Sequence, residues 1–284
     1  SLLSNDELPK SLSMANAYGE ALTQTPESRL VVVTTPKLKV WIDLLGGDIV
    51  RVQLPQYPVA LDLQNTPFLL LEQNQNQTYI AQSGLIGPNG LDRNGQRPKY
   101  SSFVRELTIE ETNGQKDLVL STVADGITVE KIFSFSPDKY LLAVKYRLTN
   151  TSNDIFTAGM FTQIKRDRKA VLTDDSFSLA PDPYLGGAIS TLETPYQKVE
   201  FDDLDEDSLQ TENTGGWVAF LQHYFLSAWV APAEQKIRYY ARPTKDNNYL
   251  FGFTGPAKVV QPGQLGIWSA EFYAGPKDQV ELET

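Results

Sequence analysis

The 284-residue chain has no cysteine and a single histidine, His223, and both shortages limit the chemistry it can carry. Without cysteine it has no disulfide, no thiolate nucleophile and no cysteine-ligated zinc or iron–sulfur centre. One imidazole cannot supply the histidine pair of a zinc site, and no G-x-S-x-G sequence marks a nucleophilic serine. We therefore expect no metal, no cofactor and no catalytic residues, and we interpret His223 as a structural or surface residue.

Long apolar runs and an excess of positive charge are also missing. No run approaches the ~20 apolar residues that cross a bilayer, and the first residues, SLLSNDELPK, lack the features of a signal peptide. The net charge of −10 disfavours nucleic acid and anionic lipid surfaces, which both attract clustered Lys and Arg. We expect a chain that is soluble in isolation and reaches a membrane only through segments outside this sequence.

Apolar residues that alternate with polar ones dominate the rest of the chain. In KLKVWIDL (37–44) and IVRVQL (49–54) they flank the turn residues Gly46 and Gly47, which predicts a hairpin. ITVEKIFSF (127–135) and YLLAVKYRLTN (140–150) predict a second hairpin, in which Lys131 interrupts the apolar face. Similar patterns predict strands at 30–35, 68–71, 78–82, 103–109, 117–123, 155–163, 236–241, 248–253 and 265–273.

An aromatic stretch, GGWVAFLQHYFLSAWVAP (215–232), holds three large aromatic candidates, Trp217, Tyr224 and Trp229. Its β-branched and aromatic content favours a strand, a tight turn near Gln222–His223 and a second strand at 225–230. Two buried strands are the simpler interpretation, and aromatic residues that line a ligand or peptide groove are the alternative.

Two long segments, 83–100 and about 165–214, show no clear period, which is a hint of a functional surface. The second changes from basic KRDRK (165–169) to acidic FDDLDED (201–207). The acidic run is typical of a solvated loop, with a partner-facing patch as the alternative. In the first, DRNGQRPKY (92–100) predicts a loop folded back on the sheet, with an anion site as the alternative.

The many short strands and scarce helical patterns predict an all-β fold, an enlarged β-sandwich of two broad sheets with few short helices. Residues 1–28 are small, polar and without period, so we expect a flexible linker there. The sandwich domain should then occupy residues 29–277.

Several stretches, taken together and in order, resemble the large periplasmic domain of the YidC family of bacterial membrane protein insertases. They are LGGDIVRVQLPQYP (45–58), TPFLLLE (66–72), YIAQSGLIGPNG (79–90), RPKY (97–100), GGWVAFLQHYFLSAWVAP (215–232), VVQPGQLG (259–266) and FYAGP (272–276). The resemblance implies an enlarged sandwich (a supersandwich) of galactose-mutarotase-like topology at the periplasmic face of a Gram-negative inner membrane. It also implies that residues 1–28 are a flexible linker that leads from an absent transmembrane helix to the domain. Residues 278–284 would begin a truncated connector to the membrane.

The same resemblance implies a non-catalytic domain that supports membrane-protein insertion and folding. Its expected partners are the Sec-translocon proteins SecD and SecF, or nascent membrane-protein substrates. Placement within the family puts the partner surface at about 158–212, and the candidate contact residues are Lys165, Arg166, Arg168, Lys169, Asp202, Asp203 and Asp205. A carbohydrate-binding or sugar-epimerase-like module is the alternative, although fold alone does not carry function.

Overall fold

A computed structural model describes residues 25–60, 63–93, 95–168, 185–222 and 224–277. In this part of the chain, strands are the main elements, and no helix has the length and apolar character needed to cross a membrane. A short 3-10 helix, Glu27–Arg29, leads into the first strand. The expected linker at 1–28 and connector at 278–284 lie mostly or wholly outside the described residues.

The described elements are one α-helix, α1 (Phe201–Glu206), and nineteen strands. The strands are β1 (Leu30–Thr34), β2 (Lys39–Asp43), β3 (Asp48–Pro58), β4 (Pro67–Gln73), β5 (Thr78–Ile86), β6 (Glu106–Thr108), β7 (Lys116–Ala124), β8 (Ile127–Phe135), β9 (Leu141–Asn150), β10 (Phe156–Asp167), β11 (Gly186–Ser190), β12 (Gln197–Val199), β13 (Leu209–Thr214), β14 (Trp217–Leu221), β15 (Phe225–Val230), β16 (Lys236–Pro243), β17 (Asn248–Thr254), β18 (Lys258–Val260) and β19 (Leu265–Pro276).

These strands form two sheets, which we call the large sheet and the small sheet. The large sheet has eleven described strands in the order β13-β16-β17-β10-β5-β4-β3-β2-β1-β6, and β18 pairs with β10 off this path. The small sheet has eight in the order β12-β11-β14-β15-β19-β9-β8-β7. Among the described pairs, β1 with β6 is parallel and the others are antiparallel. The strand order places β6 and β13 at opposite edges of the large sheet.

Among the described residues, one large hydrophobic core fills the space between the sheets, and two small clusters lie apart from it. Alternation along each strand explains it, because successive side chains point to opposite faces of a sheet. Polar groups also join the two layers. The Tyr79 hydroxyl lies 2.8 Å from Ser227 Oγ, and Ser83 Oγ lies 3.2 Å from the Tyr146 hydroxyl. Tyr79 and Ser83 therefore lie on the face of β5 that points toward the small sheet.

The hairpins expected from the sequence are present. β2 pairs with β3 around the turn at Gly46 and Gly47, both with positive φ, and β8 pairs with β9. The aromatic stretch forms the paired strands β14 and β15, nearly all of whose residues are buried. The interpretation of this stretch as two buried strands is therefore confirmed, while His223 lies outside the described residues.

The structure corrects the expectation of irregular chain at 165–214 and 83–100. β10 continues to Asp167 and β5 to Ile86, and the acidic run forms α1 in place of a loop. Phe201 and Leu204, three residues apart, share the buried face of α1, which explains why this short segment is helical. β13, with the sequence LQTENT, lies at a sheet edge with no fully buried residue, so it carries no apolar alternation.

Candidate functional site

Four of the predicted partner residues lie near one another where the end of β10 meets α1. Arg168 follows the last residue of β10 and forms ion pairs with Asp202 and with Asp205, the latter at 2.7 Å. The three side chains are exposed, and the Asp203 carboxylate beside them contacts no described cation. We call Arg168, Asp202, Asp203 and Asp205 the α1 surface.

Aromatic packing holds the α1 surface in place. The Phe201 ring lies 4.5 Å from the Tyr249 ring and 5.8 Å from the Phe220 ring, measured between centroids. The Tyr249 hydroxyl donates a hydrogen bond of 2.7 Å to Asp205, and burial together with this bond raises the pKa of Tyr249. The exposed charges of α1 are therefore presented from a helix whose other face is buried.

Lys165 and Arg166 do not belong to this surface. Lys165 is buried on the outer face of the large sheet, where its ammonium group lies 2.7 Å from Asp246. Arg166 points inward, is 1% exposed, and its guanidinium lies 4.6 Å from the Tyr79 ring centroid. This corrects the expectation that both residues supply exposed contacts, because strand alternation sends neighbours to opposite faces. Lys169 lies outside the described residues.

The three aromatic candidates do not line one groove. Trp229 is buried in the core, with its indole N–H donating to the Gln163 carbonyl at 3.1 Å, and Trp217 is half-buried. Trp217 pairs with Val230 across the strands, so it faces away from Trp229. Tyr224 is 69% exposed at the turn between the strands. Core packing therefore accounts for Trp229 and for the buried part of Trp217, which also packs against the core, and Tyr224 stays at the surface.

Sequence reasoning missed a buried charged cluster made of Asp48, Asp92, Arg97 and Lys131, which we call the ionic cluster. The Arg97 guanidinium bridges the Asp48 and Asp92 carboxylates, and Asp92 also accepts the Leu85 amide at 2.8 Å. Burial lowers the pKa of Lys131 to about 7 and raises the pKa of Asp92. The one available signal was Lys131 itself, a charged residue at an inward position of β8.

A row of hydrogen-bonded side chains crosses the outer face of the large sheet from the ionic cluster. Gln82 donates to Asp48 at 2.7 Å, Gln163 donates to Gln82 at 2.9 Å, and Tyr240 donates to Gln163 at 2.8 Å. Tyr240 reaches Gln163 across Gly252, where any Cβ would lie 2.8 Å from the Tyr240 ring. This polar row is buried and its members satisfy one another.

A small pit opens beside the polar row, with Asp43, Gln82 and Lys165 in its lining. Its volume is about 40 Å³, which is enough for a water molecule or two. Pockets for small organic ligands usually enclose ~300–1,000 Å³. The pit is therefore too small to hold a sugar.

A larger groove lies at the β6 edge of the large sheet, at the far side from the α1 surface. Its volume is about 470 Å³, and we call it the edge groove. Its lining residues belong to β1, β2, β6 and the segments before β1 and β6: Glu27, Ser28, Leu30, Val32, Thr34, Lys39, Trp41, Arg105, Glu106, Leu107 and Thr108. Trp41 is the one aromatic residue in this lining, and Lys39 lies over its ring at 4.9 Å.

Comparison with known proteins adds an evolutionary context to this geometry. A family model described as the YidC periplasmic domain matches residues 30–284. Proteins named membrane protein insertase YidC are similar to the chain. That of Cellvibrio japonicus is 37% identical over 281 residues, covering 99% of this chain and 50% of that protein. That of Stutzerimonas stutzeri is 42% identical over 265 residues, covering 92% and 47%. The chain therefore spans about half the length of the curated relatives it matches.

Solved structures share the fold at low sequence identity. A galactose mutarotase related enzyme from Lactobacillus acidophilus superimposes with a TM-score of 0.53 at 13% identity, covering 89% of this chain and 100% of that one. A galactose mutarotase-like protein from Lactobacillus casei gives a TM-score of 0.51 at 8% identity, covering 86% and 99%. These likenesses concern the fold alone, and they confirm the predicted enlarged sandwich of galactose-mutarotase-like topology.

Proposed function

The chain belongs to the family of YidC periplasmic domains, and from this premise we propose that it is the non-catalytic, periplasm-facing part of a membrane protein insertase. In this proposal it lies at the outer face of a Gram-negative inner membrane and supports the insertion and folding of membrane proteins. In this role the domain serves as a docking surface for other proteins. Its partners are Sec-translocon accessory proteins such as SecD and SecF, or segments of nascent membrane proteins.

The α1 surface is the observation that supports a docking role. Arg168, Asp202 and Asp205 come from segments more than thirty residues apart, and they meet at an exposed position that packing keeps fixed. Fixed surface charges of both signs suit polar contacts at the rim of a protein interface, where they contribute to specificity and association rate. Exposed ion pairs add only ~0–1 kcal/mol to folding, so stability gives little reason for them.

Charge reversal tests the proposal. We expect the double variant Arg168→Glu/Asp203→Lys of the 284-residue chain to bind purified SecDF complex about fivefold more weakly than the wild type, as expected for loss of one or two rim contacts. The matched control is Glu111→Lys/Lys116→Glu, which also keeps the net charge and alters exposed residues in the loop after β6 and at the start of β7. Equal binding by the two variants and the wild type would remove the α1 surface as the docking site.

A carbohydrate-binding or sugar-epimerase-like module remains the second candidate, because the fold resembles a galactose mutarotase related enzyme. The pit beside the polar row is too small for a sugar, whereas the edge groove, at about 470 Å³, lies within the size range of ligand pockets, so titration decides this candidate. We expect no heat change when the chain is titrated with common hexoses, and no change in the rate of hexose mutarotation. Saturable binding or turnover would favour this candidate over a docking domain.

A further inference from the structure

We propose that the free outer edge of β6, together with the edge groove beside it, binds an extended polypeptide segment as one additional strand of the large sheet. The inference rests on the proposed function only for the source of that segment, which would be an unfolded, periplasm-exposed stretch of a membrane-protein substrate. The binding site itself is argued from the backbone and side chains at this edge.

The backbone of β6 leaves two residues available for pairing. The Arg105 carbonyl accepts the Val32 amide at 2.9 Å, and the Ile109 amide donates to the Thr34 carbonyl at 2.8 Å. Backbone groups of alternate residues in a strand point to opposite sides, so Leu107 also faces β1. Glu106 and Thr108 therefore direct their N–H and C=O groups away from the sheet, where no described residue bonds to them.

The long edge of the small sheet is less open. β7 is a nine-residue edge strand of the small sheet, and Ser101 pairs with its centre. Two hydrogen bonds join Ser101 and Ser121, at 2.8 and 2.9 Å. Such partial cover prevents strands of other molecules from pairing along an edge. β6 has no comparable cover among the described residues, and it has a groove beside it.

The edge groove supplies contacts for the side chains of an added strand. Its floor carries the apolar side chains of Leu30, Val32 and Trp41, which lie on the outer face of β1 and β2. Glu106 and Thr108 stand on the same face of β6, and the short Thr108 leaves room for a long side chain to reach over it. A volume of about 470 Å³ accommodates one or two aromatic or aliphatic side chains.

Backbone pairing with side-chain pockets is the recognised chemistry of strand addition, and it tolerates many sequences. Three residues of β6 span about 10 Å, so few hydrogen bonds form and the bound segment can be released readily. We therefore assign an extended peptide rich in alternating aromatic and aliphatic residues as the occupant. Such a site would hold an unfolded segment only briefly.

A proline substitution tests strand addition directly, because proline removes one edge donor and leaves the pairing with β1 intact. The probe is a short, end-blocked fluorescent peptide of alternating phenylalanine and threonine, and its anisotropy reports binding to the 284-residue chain. We expect Thr108→Pro to weaken binding at least about fivefold, and Glu106→Pro to do the same. Val123→Pro is the matched control, since the Val123 amide points outward from the edge of β7.

A second probe separates strand addition from binding in the groove alone. The same peptide with alternate backbone nitrogens methylated keeps its side chains but cannot pair along an edge, and we expect it not to bind. Absence of binding by the unmodified peptide would overturn the inference. The proline variants are compared with the wild type only where they keep the wild-type melting temperature. Equal binding by such a variant and by the wild type would also overturn the inference. SecDF binding through the α1 surface is measured separately, so either proposal can fail without the other.

Discussion

Arg97 and Lys131 donate hydrogen bonds to the same two backbone carbonyls, those of Gly46 and Ser83. The distances are 3.3 and 3.0 Å from Arg97 and 3.0 and 3.2 Å from Lys131. Two buried cations thus share two acceptors at the point where the first hairpin, β5 and β8 meet. Arg97 also bridges two carboxylates, whereas Lys131 donates its described hydrogen bonds to carbonyls and lies over the Phe133 and Tyr146 rings. The two residues should therefore respond differently to removal.

Replacing Lys131 tests its unusual ionisation. The pKa of Lys131 is about 7 in the folded chain and ~10.4 in the unfolded one, so between these values the unfolded state binds the extra proton. Its contribution to stability is then complete above the unfolded pKa and is lost as the pH falls toward 7. We expect the wild type to gain stability relative to Lys131→Met from pH 7 to pH 10, as measured by urea unfolding at several pH values.

At pH 7 and below we expect Lys131→Met to be at least as stable as the wild type. A buried charge costs desolvation energy, and Arg97 still donates to both carbonyls in the variant. Lys145→Met, which changes an exposed residue of β9, is the control and should follow the wild-type curve. Curves for Lys131→Met and the wild type that stay parallel from pH 7 to pH 10 would contradict this account.

Replacing Arg97 should be much more damaging. Arg97→Met leaves the buried carboxylates of Asp48 and Asp92 without their guanidinium partner, and loss of one member of such a network costs ~3–5 kcal/mol. The deficit should shrink at acidic pH, because protonation neutralises the Asp92 carboxyl, whose pKa is raised by burial. Chemical denaturation measures it, with the exposed Arg93→Met as a control expected within ~0.5 kcal/mol of the wild type. A deficit as small as that of the control would show that the cluster does not stabilise the fold.

Gly252 tests the polar row on the outer face of the large sheet. A Cβ at this position would lie 2.2 Å from the Thr162 carbonyl oxygen, a backbone atom that cannot move away cheaply. We expect Gly252→Ala to lower the free energy of unfolding by ~1–3 kcal/mol or more. Gly114→Ala meets no atom within 4 Å and should change it by less than ~0.5 kcal/mol. Similar melting temperatures for the two variants would contradict the packing described here.

The sequence predicts the hairpins and the aromatic strand pair well, because each has a regular apolar face and a turn signal between its strands. It fails at Lys165 and Arg166, where strand β10 continues through charged residues that are buried by contacts with Asp246 and Tyr79. Charge in a sequence favours a surface position, and only the fold shows that these charges have buried partners.

The ionic cluster and the edge groove could not be predicted for a related reason. Asp48 and Lys131 are more than eighty residues apart, and β6 pairs with β1 across about seventy residues. No local sequence pattern indicates contacts between residues so far apart in the chain. The three-residue β6 is also too short to show a hydrophobic periodicity of its own. The α1 surface was partly predictable, because its charged residues stand out in the sequence. The ion pairs of Arg168 with Asp202 and Asp205 could not be predicted from it.

Hydrogen–deuterium exchange of the 284-residue chain, with and without purified SecDF complex, tests the docking role most directly. It reports which backbone amides a partner covers, without any substitution. We predict slower exchange in α1 (Phe201–Glu206) and at the end of β10 when SecDF is present, and unchanged exchange in the loop between β6 and β7. An exchange pattern that SecDF leaves unaltered throughout the chain, or alters only away from α1, would contradict the account.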